Sequence, residues 1–417
     1  MVPDDKLKKE FVVKRILIID HFSKAPGETG NNRFIYLAEM LCKSGFEVEV
    51  ATSDFQHIAK KTRHIDQKLI DNLPYKYTML PEPIYPKNIC LKRFYSHYIF
   101  GQNLRSYLKT IEKPDIVYIS VPSLNVGTAA ADYCNENNIP LIVDVQDLWP
   151  EAFQLVFNVP VLKDIAFFPM MAQAKKTYAT ASKILAVSET YKERGLKDCR
   201  KDKTGLCVYL GTEMDTFDEN RDSVQVDKPE DEIWIVYVGT LGHSYNIEII
   251  IDALNQIADQ LNKKVVFKVI GNGPYMERFQ EYAKDCIILV EFLGRRVYPE
   301  MVAYLSKADI AVNPIVKGAA QSIINKHADY AMAGLPVVNT QDCQEYRDLI
   351  YKYNCGINCT CESREEVSEA LLRLINDEKL RKEMGSASRR MAEERFDRKE
   401  TYKQIVNEID RLIEEKK

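Results

Sequence analysis

No stretch of this chain offers the roughly 20 consecutive apolar residues that a membrane helix needs. The first residues, MVPDDKLKKEFVVKR, are charged without a long apolar core, which excludes a secretory signal and predicts a cytoplasmic protein. Its 10 cysteines show no disulfide framework. Cys355, Cys359 and Cys361 would share one strand face, but paired zinc-type spacing and a fourth ligand are missing, so buried thiols are expected and no metal site is. No G-x-G-x-x-G follows the first strand, since Gly27 and Gly30 come late, which disfavours a nicotinamide-type fold. Excess charge is small too. The net is −4, with 29 Lys+Arg against 24 Asp+Glu in residues 1–210 and 28 against 37 in the remainder. That is too mild for a nucleic-acid binder, although it leaves the first half suited to something anionic.

What is present is α/β alternation in 417 residues, a length that calls for two cores. Apolar runs predict strands at Arg15–Asp20, Glu47–Ser53, Tyr75–Leu80, Asp115–Val121, Leu141–Val145, Lys183–Val187 and Leu206–Leu210. Helical patterns at Asn31–Lys43, Leu91–Thr110, Leu124–Asn137 and Lys163–Ala181 fall between them. The acidic segment Glu213 to Asp231 lacks periodicity and reads as a linker. Alternation resumes with Ile233–Val238, Val265–Ile270, Ile287–Phe292, Asp309–Asn313, Pro336–Asn339 and Gly356–Cys359. Nearly all-apolar strands are those whose two faces are covered by helices. The expected architecture is two doubly wound, Rossmann-like parallel-sheet domains facing across a cleft. Residues 1–211 form the first, 212–231 the linker and 232–395 the second. An amphipathic helix over 396–417 packs back on the first domain.

Ligands of such sheets bind beyond the carboxyl ends of the strands. In the second half the loops there are GTLGHSYN, GNGPYM, LGRRVYPE and the stretch PIVKGAAQSIINKHADYAMAGLP from Pro314. That last stretch predicts a strand, a small-residue turn at Gly318-Ala319-Ala320 and a helix from Gln321 or Ser322 to Gly334. The free amides and dipole of a helix start favour phosphate or a sugar hydroxyl. Ser322, Asn325 and Lys326 fall in its first turn or so. The plainer alternative is an ordinary strand-loop-helix with a capping serine.

Ordered along the chain, YVGTLGHSYNIEIIIDAL, VIGNGPYMERF, VEFLGRRVYPEMVAYLSKADIAVNPI and SIINKHADYAMAGLPVVNT resemble the nucleotide-sugar domain of retaining GT-B glycosyltransferases. These are the family-four-like, group 1 type enzymes of bacterial surface polysaccharide biosynthesis. EVEVATSDF, VDVQDLWPE, AVSETYKERG and VYLGTEMDTF extend the resemblance over the first half. The resemblance implies transfer of a sugar from a nucleoside diphosphate sugar, expected to be UDP-linked, with retention and without a cofactor or metal. A diphosphate oxygen helps to take the acceptor proton, so no protein nucleophile is required.

Carried over by position, the resemblance makes Lys326 the candidate for the diphosphate, with Arg295 or Arg296 as outside candidates. Gln321 and Asp329 stand where many relatives have paired glutamates. The Arg and Lys often found after the second domain's first strand are absent from the loop holding Thr240 and His243. His243 either contacts a phosphate or is a solvated loop residue. Gly271, Asn272 and Gly273, with Leu293 and Gly294, shape the base pocket through backbone. Gly30 and Gly318 serve donor loops. Glu345 lies near the ribose or is an exposed helix carboxylate. Asp147 orients acceptor or donor sugar, or simply caps the helix after Pro150, with Glu151 one turn on; Trp149 is expected to pack.

The implied acceptor is a glycan or a polyprenyl-diphosphate-linked sugar of capsule, exopolysaccharide or O-antigen assembly, at the cytoplasmic face of the inner membrane. The basic, aromatic stretch LKRFYSHYIFGQNLRSYLK from Leu91 suits peripheral contact there, or is a domain helix whose rings are core. Leu155–Met171 is a second apolar candidate. Two rival functions share the fold: a UDP-sugar epimerase, and a nucleotide-sugar-binding partner subunit without turnover.

Overall fold

The computed structural model describes residues 13–28, 32–88, 90–156, 163–319 and 322–416, with backbone alone for 154–156 and 163–166. Gly30, Gln321 and Phe157 lie outside the described residues. The chain forms two compact units, 1–207 with 404–417, and 208–403.

In the first unit, β1 (Arg15–Ile19) and β2 (Glu47–Ser53) precede a small antiparallel ribbon of β3 (Phe55–Gln56) and β4 (Lys61–Thr62). Then come β5 (Lys76–Leu80), β6 (Ile116–Val121), β7 (Leu141–Val145), β8 (Lys183–Ala186) and β9 (Leu206–Cys207). Seven of these make a parallel sheet in the order β5-β2-β1-β6-β7-β8-β9. Strands β6 and β7 are buried along their whole length, as uninterrupted apolar runs require when helices cover both faces. Order reverses between β1 and β6, and at that switch point the strand ends leave a crevice.

The second unit holds β10 (Glu232–Val238), β11 (Lys264–Ile270), β12 (Leu289–Gly294), β13 (Ile310–Asn313), β14 (Val337–Asn339) and β15 (Gly356–Asn358). Their parallel order is β12-β11-β10-β13-β14-β15, with the switch point between β10 and β13. The doubly wound expectation therefore holds in both units.

Three expectations need correction. The acidic segment contains a helix, Met214–Asn220, because Phe217 is fully buried and Asp218 pairs with Arg389. The cysteine trio does not share a strand, since β15 ends at Asn358. Cys355 lies by Met391, Cys359 by the Glu366 carbonyl and Cys361 by the Ile315 carbonyl. The helix predicted from Gln321 or Ser322 spans Asn325–Met332.

Helix Leu91–Leu108 buries Ser96, His97, Phe100, Leu104 and Leu108, so much of the basic, aromatic stretch is core-facing. Arg105 is tied to Asp132, while Tyr95 and Tyr98 are exposed. Among the described residues, no helix is long and apolar enough to cross a membrane. In the chain's last helix, Lys403–Glu415, Ile405, Ile409, Leu412 and Ile413 are buried.

Candidate functional site

At the switch point of the second sheet, Ile324 is held extended just ahead of the helix that follows β13. Gln341 Nε2 donates to the Ser322 carbonyl at 2.9 Å, and the Ile324 amide donates to His327 Nδ1 at 3.3 Å. Ile324 has φ −109 and ψ 158, so Ser322 sits ahead of the first turn rather than within it. Behind this segment is an uncharged amide network. Asn313 Nδ2 meets His327 Nε2 at 3.2 Å, Asn339 Oδ1 at 2.9 Å and Gln341 Oε1 at 3.1 Å. His327 stacks on Tyr346 with centroids 3.4 Å apart. Burial pushes the His327 ring well below its ordinary pKa, consistent with a neutral imidazole that accepts from Ile324.

Lys326 follows in the first turn of the helix. Its ammonium is buried 4.1 Å from the ring centres of both Tyr237 and Tyr245, and among the described residues it has no hydrogen-bond acceptor. Cation–π attraction recovers part of the lost hydration, but burial still drives its pKa well below the usual lysine value. The Tyr237 hydroxyl donates to the Thr240 carbonyl at 2.7 Å, which fixes the ring that faces the ammonium. Asp329, one turn on, accepts from the Tyr298 hydroxyl at 3.4 Å. Burial lifts its carboxyl to about 7 against the opposing pull of that hydroxyl and Arg398.

The glycines of the neighbouring loops have another reason than ligand approach. A Cβ on Gly271 would lie 1.8 Å from the Gly239 carbonyl oxygen, and both residues have positive φ. Gly239 donates to the Ile270 carbonyl, Leu241 to Asn272 and Gly271 to Gly294, locking the loops after β10, β11 and β12 together. Gly273 is likewise crowded by Leu241. Asn272 is exposed and its side chain accepts from the Gly273 amide, while Leu293 and Gly294 are half-buried. Thr240 and Gly318 are exposed, as is Asn325 at the helix start. His243 is exposed and contacts the Tyr275 hydroxyl. Glu345 is half-buried in the first turn of helix Gln344–Tyr353. Arg295 and Arg296 are exposed after β12.

The first unit gathers a different set at its own switch point. His21, just after β1, shares hydrogen bonds with Ser123 after β6 at 2.7 Å and with Glu82 after β5 at 2.8 Å. Glu82 also accepts from Ser53 and Ser96. Burial alone would raise the Glu82 carboxyl; the His21 charge and these hydrogen bonds outweigh it and hold the pKa below 4.5. His97 stacks against Trp149, and its Nε2 is buried without a partner. Asp147 accepts from the Leu148 amide and the Trp149 indole, which spends its carboxylate locally. Glu151 is held by Arg194.

Sequence reasoning missed His21, Glu82 and His97, and with them the caging role of Tyr237 and Tyr245. The available signal was the scarcity of histidine: three of the chain's six, His21, His57 and His97, converge with Phe22 and Tyr85. Ligand atoms of His21, Glu82 and His97 lie within 4.8 Å of one another, a spacing that would suit a metal. Yet both His21 nitrogens are already engaged, and positive charge on Arg93 and Lys60 acts on His97. An added cation is disfavoured there.

Residues 30–205 match the family described as Glycosyltransferase Family 4, and residues 218–391 match Glycosyl transferases group 1. An uncharacterised glycosyltransferase of Methanocaldococcus jannaschii is 24% identical over 251 residues, covering 60% of this chain and 63% of that protein. An Escherichia coli protein named for colanic acid biosynthesis, the glycosyl transferase WcaI, is 24% identical over 44% of this chain and 45% of its own length. The chain thus spans less than two thirds of these curated relatives. A solved structure of Anabaena HepE in complex with UDP superimposes with a TM-score of 0.66 at 15% identity, covering 95% of this chain and 99% of that one. With a Family 4 match over residues 30–205 and a group 1 match over residues 218–391, the chain belongs to the glycosyltransferases.

Proposed function

We propose that the protein moves a sugar, with retention, from a UDP-linked donor to a glycan or polyprenyl-diphosphate-linked acceptor in surface polysaccharide assembly. The observation that carries this reading is the buried, acceptorless ammonium of Lys326 at a helix start beside the switch point of the second sheet. A diphosphate there would give Lys326 the oxygen it lacks, and the amides of the first helical turn would share the charge. As the bond from the anomeric carbon to the diphosphate breaks, negative charge grows on the leaving oxygens, and stabilising it lowers the barrier. The acceptor oxygen bonds to that carbon on the same face, and its proton passes to the departing diphosphate. Asp329 and the half-buried Asn325–Asp329 turn position the donor. HepE bound to UDP and to UDP-glucose on the same fold supports a UDP donor. The match to WcaI supports the polysaccharide setting.

A thermal-shift panel of UDP, GDP and ADP with their sugars tests the reading. UDP and one UDP-sugar should raise the melting temperature most, and absence of stabilisation by every nucleotide overturns the proposal. Incubation of the donor alone separates the rivals, because an epimerase would convert a UDP-sugar without an acceptor.

A further inference from the structure

A second charge imbalance lies in the first unit. Arg93, near the start of helix Leu91–Leu108, places its guanidinium over Trp149 at 4.8 Å, with Tyr85, Phe153 and Phe22 within 6.0 Å. It donates to the Asn88 carbonyl at 2.8 Å, but among the described residues its Nε is buried without a partner. Lys60, in the turn between β3 and β4, lies 4.6 Å from the centre of the same Tyr85 ring and donates to the Asn88 side chain. His57 bonds the Tyr85 hydroxyl, and His97 adds its unpartnered Nε2 at 2% exposure. Among the described residues neither Arg93 nor Lys60 is in an ion pair, whereas Arg105 on the same helix pairs with Asp132.

The acids that face this group are already engaged. Glu82 is saturated by His21, Ser53 and Ser96, and Asp147 by Leu148 and Trp149. Glu82 still acts on His57 and Asp147 on Arg93, but Lys60, Arg93 and His21 outweigh Glu82, so the field at the two imidazoles is positive. Burial and then the charges of Lys60 and Arg93 bring His57 down to about 4, and burial, His21 and Arg93 bring His97 well below its ordinary value. A neutral sugar would leave this imbalance untouched, and a metal ion would worsen it. A phosphate ester cancels it, offering acceptor oxygens to guanidinium, ammonium and imidazole at once.

We propose that the acceptor carries a phosphoryl group, and that Lys60, Arg93 and His97 bind this phosphate in the first unit. The proposal rests on the glycosyltransferase reading and narrows its acceptor class to phosphorylated molecules. Two sources share the chemistry, a soluble sugar phosphate and a lipid-linked diphosphate. Exposed Ile58, Ile84 and Leu91 neighbour His57, Tyr85 and Arg93 in sequence, which favours the lipid-linked source.

The test is calorimetric titration of the full chain, with and without saturating UDP, using farnesyl diphosphate below its micellar concentration and, separately, glucose 1-phosphate. Farnesol serves as the uncharged control. Binding that falls tenfold or more in the Lys60→Gln, Arg93→Gln double variant supports the site. Loss confined to farnesyl diphosphate assigns a lipid-linked acceptor, and loss confined to glucose 1-phosphate a soluble one. Absence of binding by both, or binding that the double variant leaves intact, overturns the proposal. Circular dichroism and the single Lys60→Gln variant, at a half-buried side chain in a turn, guard against a misfolded double variant. A parallel UDP titration keeps the two readings apart: normal UDP affinity alongside an unaffected phosphate titration sinks this inference and leaves the donor reading standing.

Discussion

Glu82 in the first unit and Lys326 in the second are both buried charges beside a sheet switch point, and they are held in opposite ways. Glu82 receives hydrogen bonds from His21, Ser53 and Ser96, so its charge is answered inside the fold. The Lys326 ammonium finds no acceptor for its hydrogens among the described residues, and two tyrosine faces are its partial compensation. A saturated buried charge contributes to stability through its partners, whereas an unsaturated one costs stability and waits for a ligand. On this contrast Glu82 is a structural charge, and Lys326 is the one we propose meets a ligand.

The largest effect should come from breaking the structural member. Glu82→Gln replaces an ionised acceptor of three hydrogen bonds with a neutral amide whose NH2 group has donors, not acceptors, to face. We expect a loss of about 3 kcal/mol, the cost of leaving buried partners uncompensated, measured by urea unfolding. The pH dependence has a definite sign. Because the folded Glu82 carboxyl sits below 4.5, its contribution is present above that pH and disappears as pH falls through the folded pKa. The variant should therefore approach the parent only in acid. An unchanged unfolding midpoint at pH 7 would remove the structural half of the comparison.

Breaking the functional member should move stability the other way. Lys326→Met keeps the length and apolar stem, deletes the ammonium, and should stabilise the empty protein by about 1–2 kcal/mol. UDP affinity should fall by about 1.5–3 kcal/mol, the range for a lost charged hydrogen bond. The parent's ammonium is depressed well below 10.5, so the unfolded chain binds more protons and parent stability rises with pH toward that value. The Met variant lacks this slope, so its advantage narrows as pH climbs. A destabilised Lys326→Met protein, or one whose UDP affinity is unchanged, would overturn the cage as a ligand-awaiting site.

The sequence was most legible where local pattern governs. Strands β2 and β7 and helix Leu124–Asn137 are read to the residue, because apolar runs bounded by turn residues specify them without help from distant parts. The Lys326 stretch was legible as a site, but its helix start was displaced by Gln341 and His327, which hold Ser322 and Ile324 extended from outside the local pattern. The glycine loops were visible, although mutual backbone packing explains Gly271 better than an approaching base does. His21, Glu82 and His97 were not legible. Residues 21 and 82 follow different strands and residue 97 lies within helix Leu91–Leu108, and only the parallel order of β5, β2, β1 and β6 gathers them. Periodicity reports which face is buried, not which buried polar groups meet.

The finest division of the comparison concerns Asp329, a carboxylate in the same helix as Lys326. Like Lys326 it is poorly compensated, with one long hydrogen bond from Tyr298, but protonation lets it escape its cost. Its folded pKa of about 7 exceeds the ordinary 3.8, so the folded state holds the proton longer than the unfolded chain does. Its contribution to stability is fully present below pH 3.8 and lost as pH rises through 7. Asp329→Asn should flatten that slope, nearly matching the parent near pH 4 and exceeding it increasingly as pH rises to 8. Thermal melts from pH 4 to 8 check this. If the variant is more stable at pH 8 and also binds UDP less tightly, Asp329 joins Lys326 as a charge kept for the ligand. Gained stability with unchanged UDP affinity would make it a buried acid whose ionisation the fold merely tolerates, and would confine the ligand-awaiting charge of the second unit to Lys326.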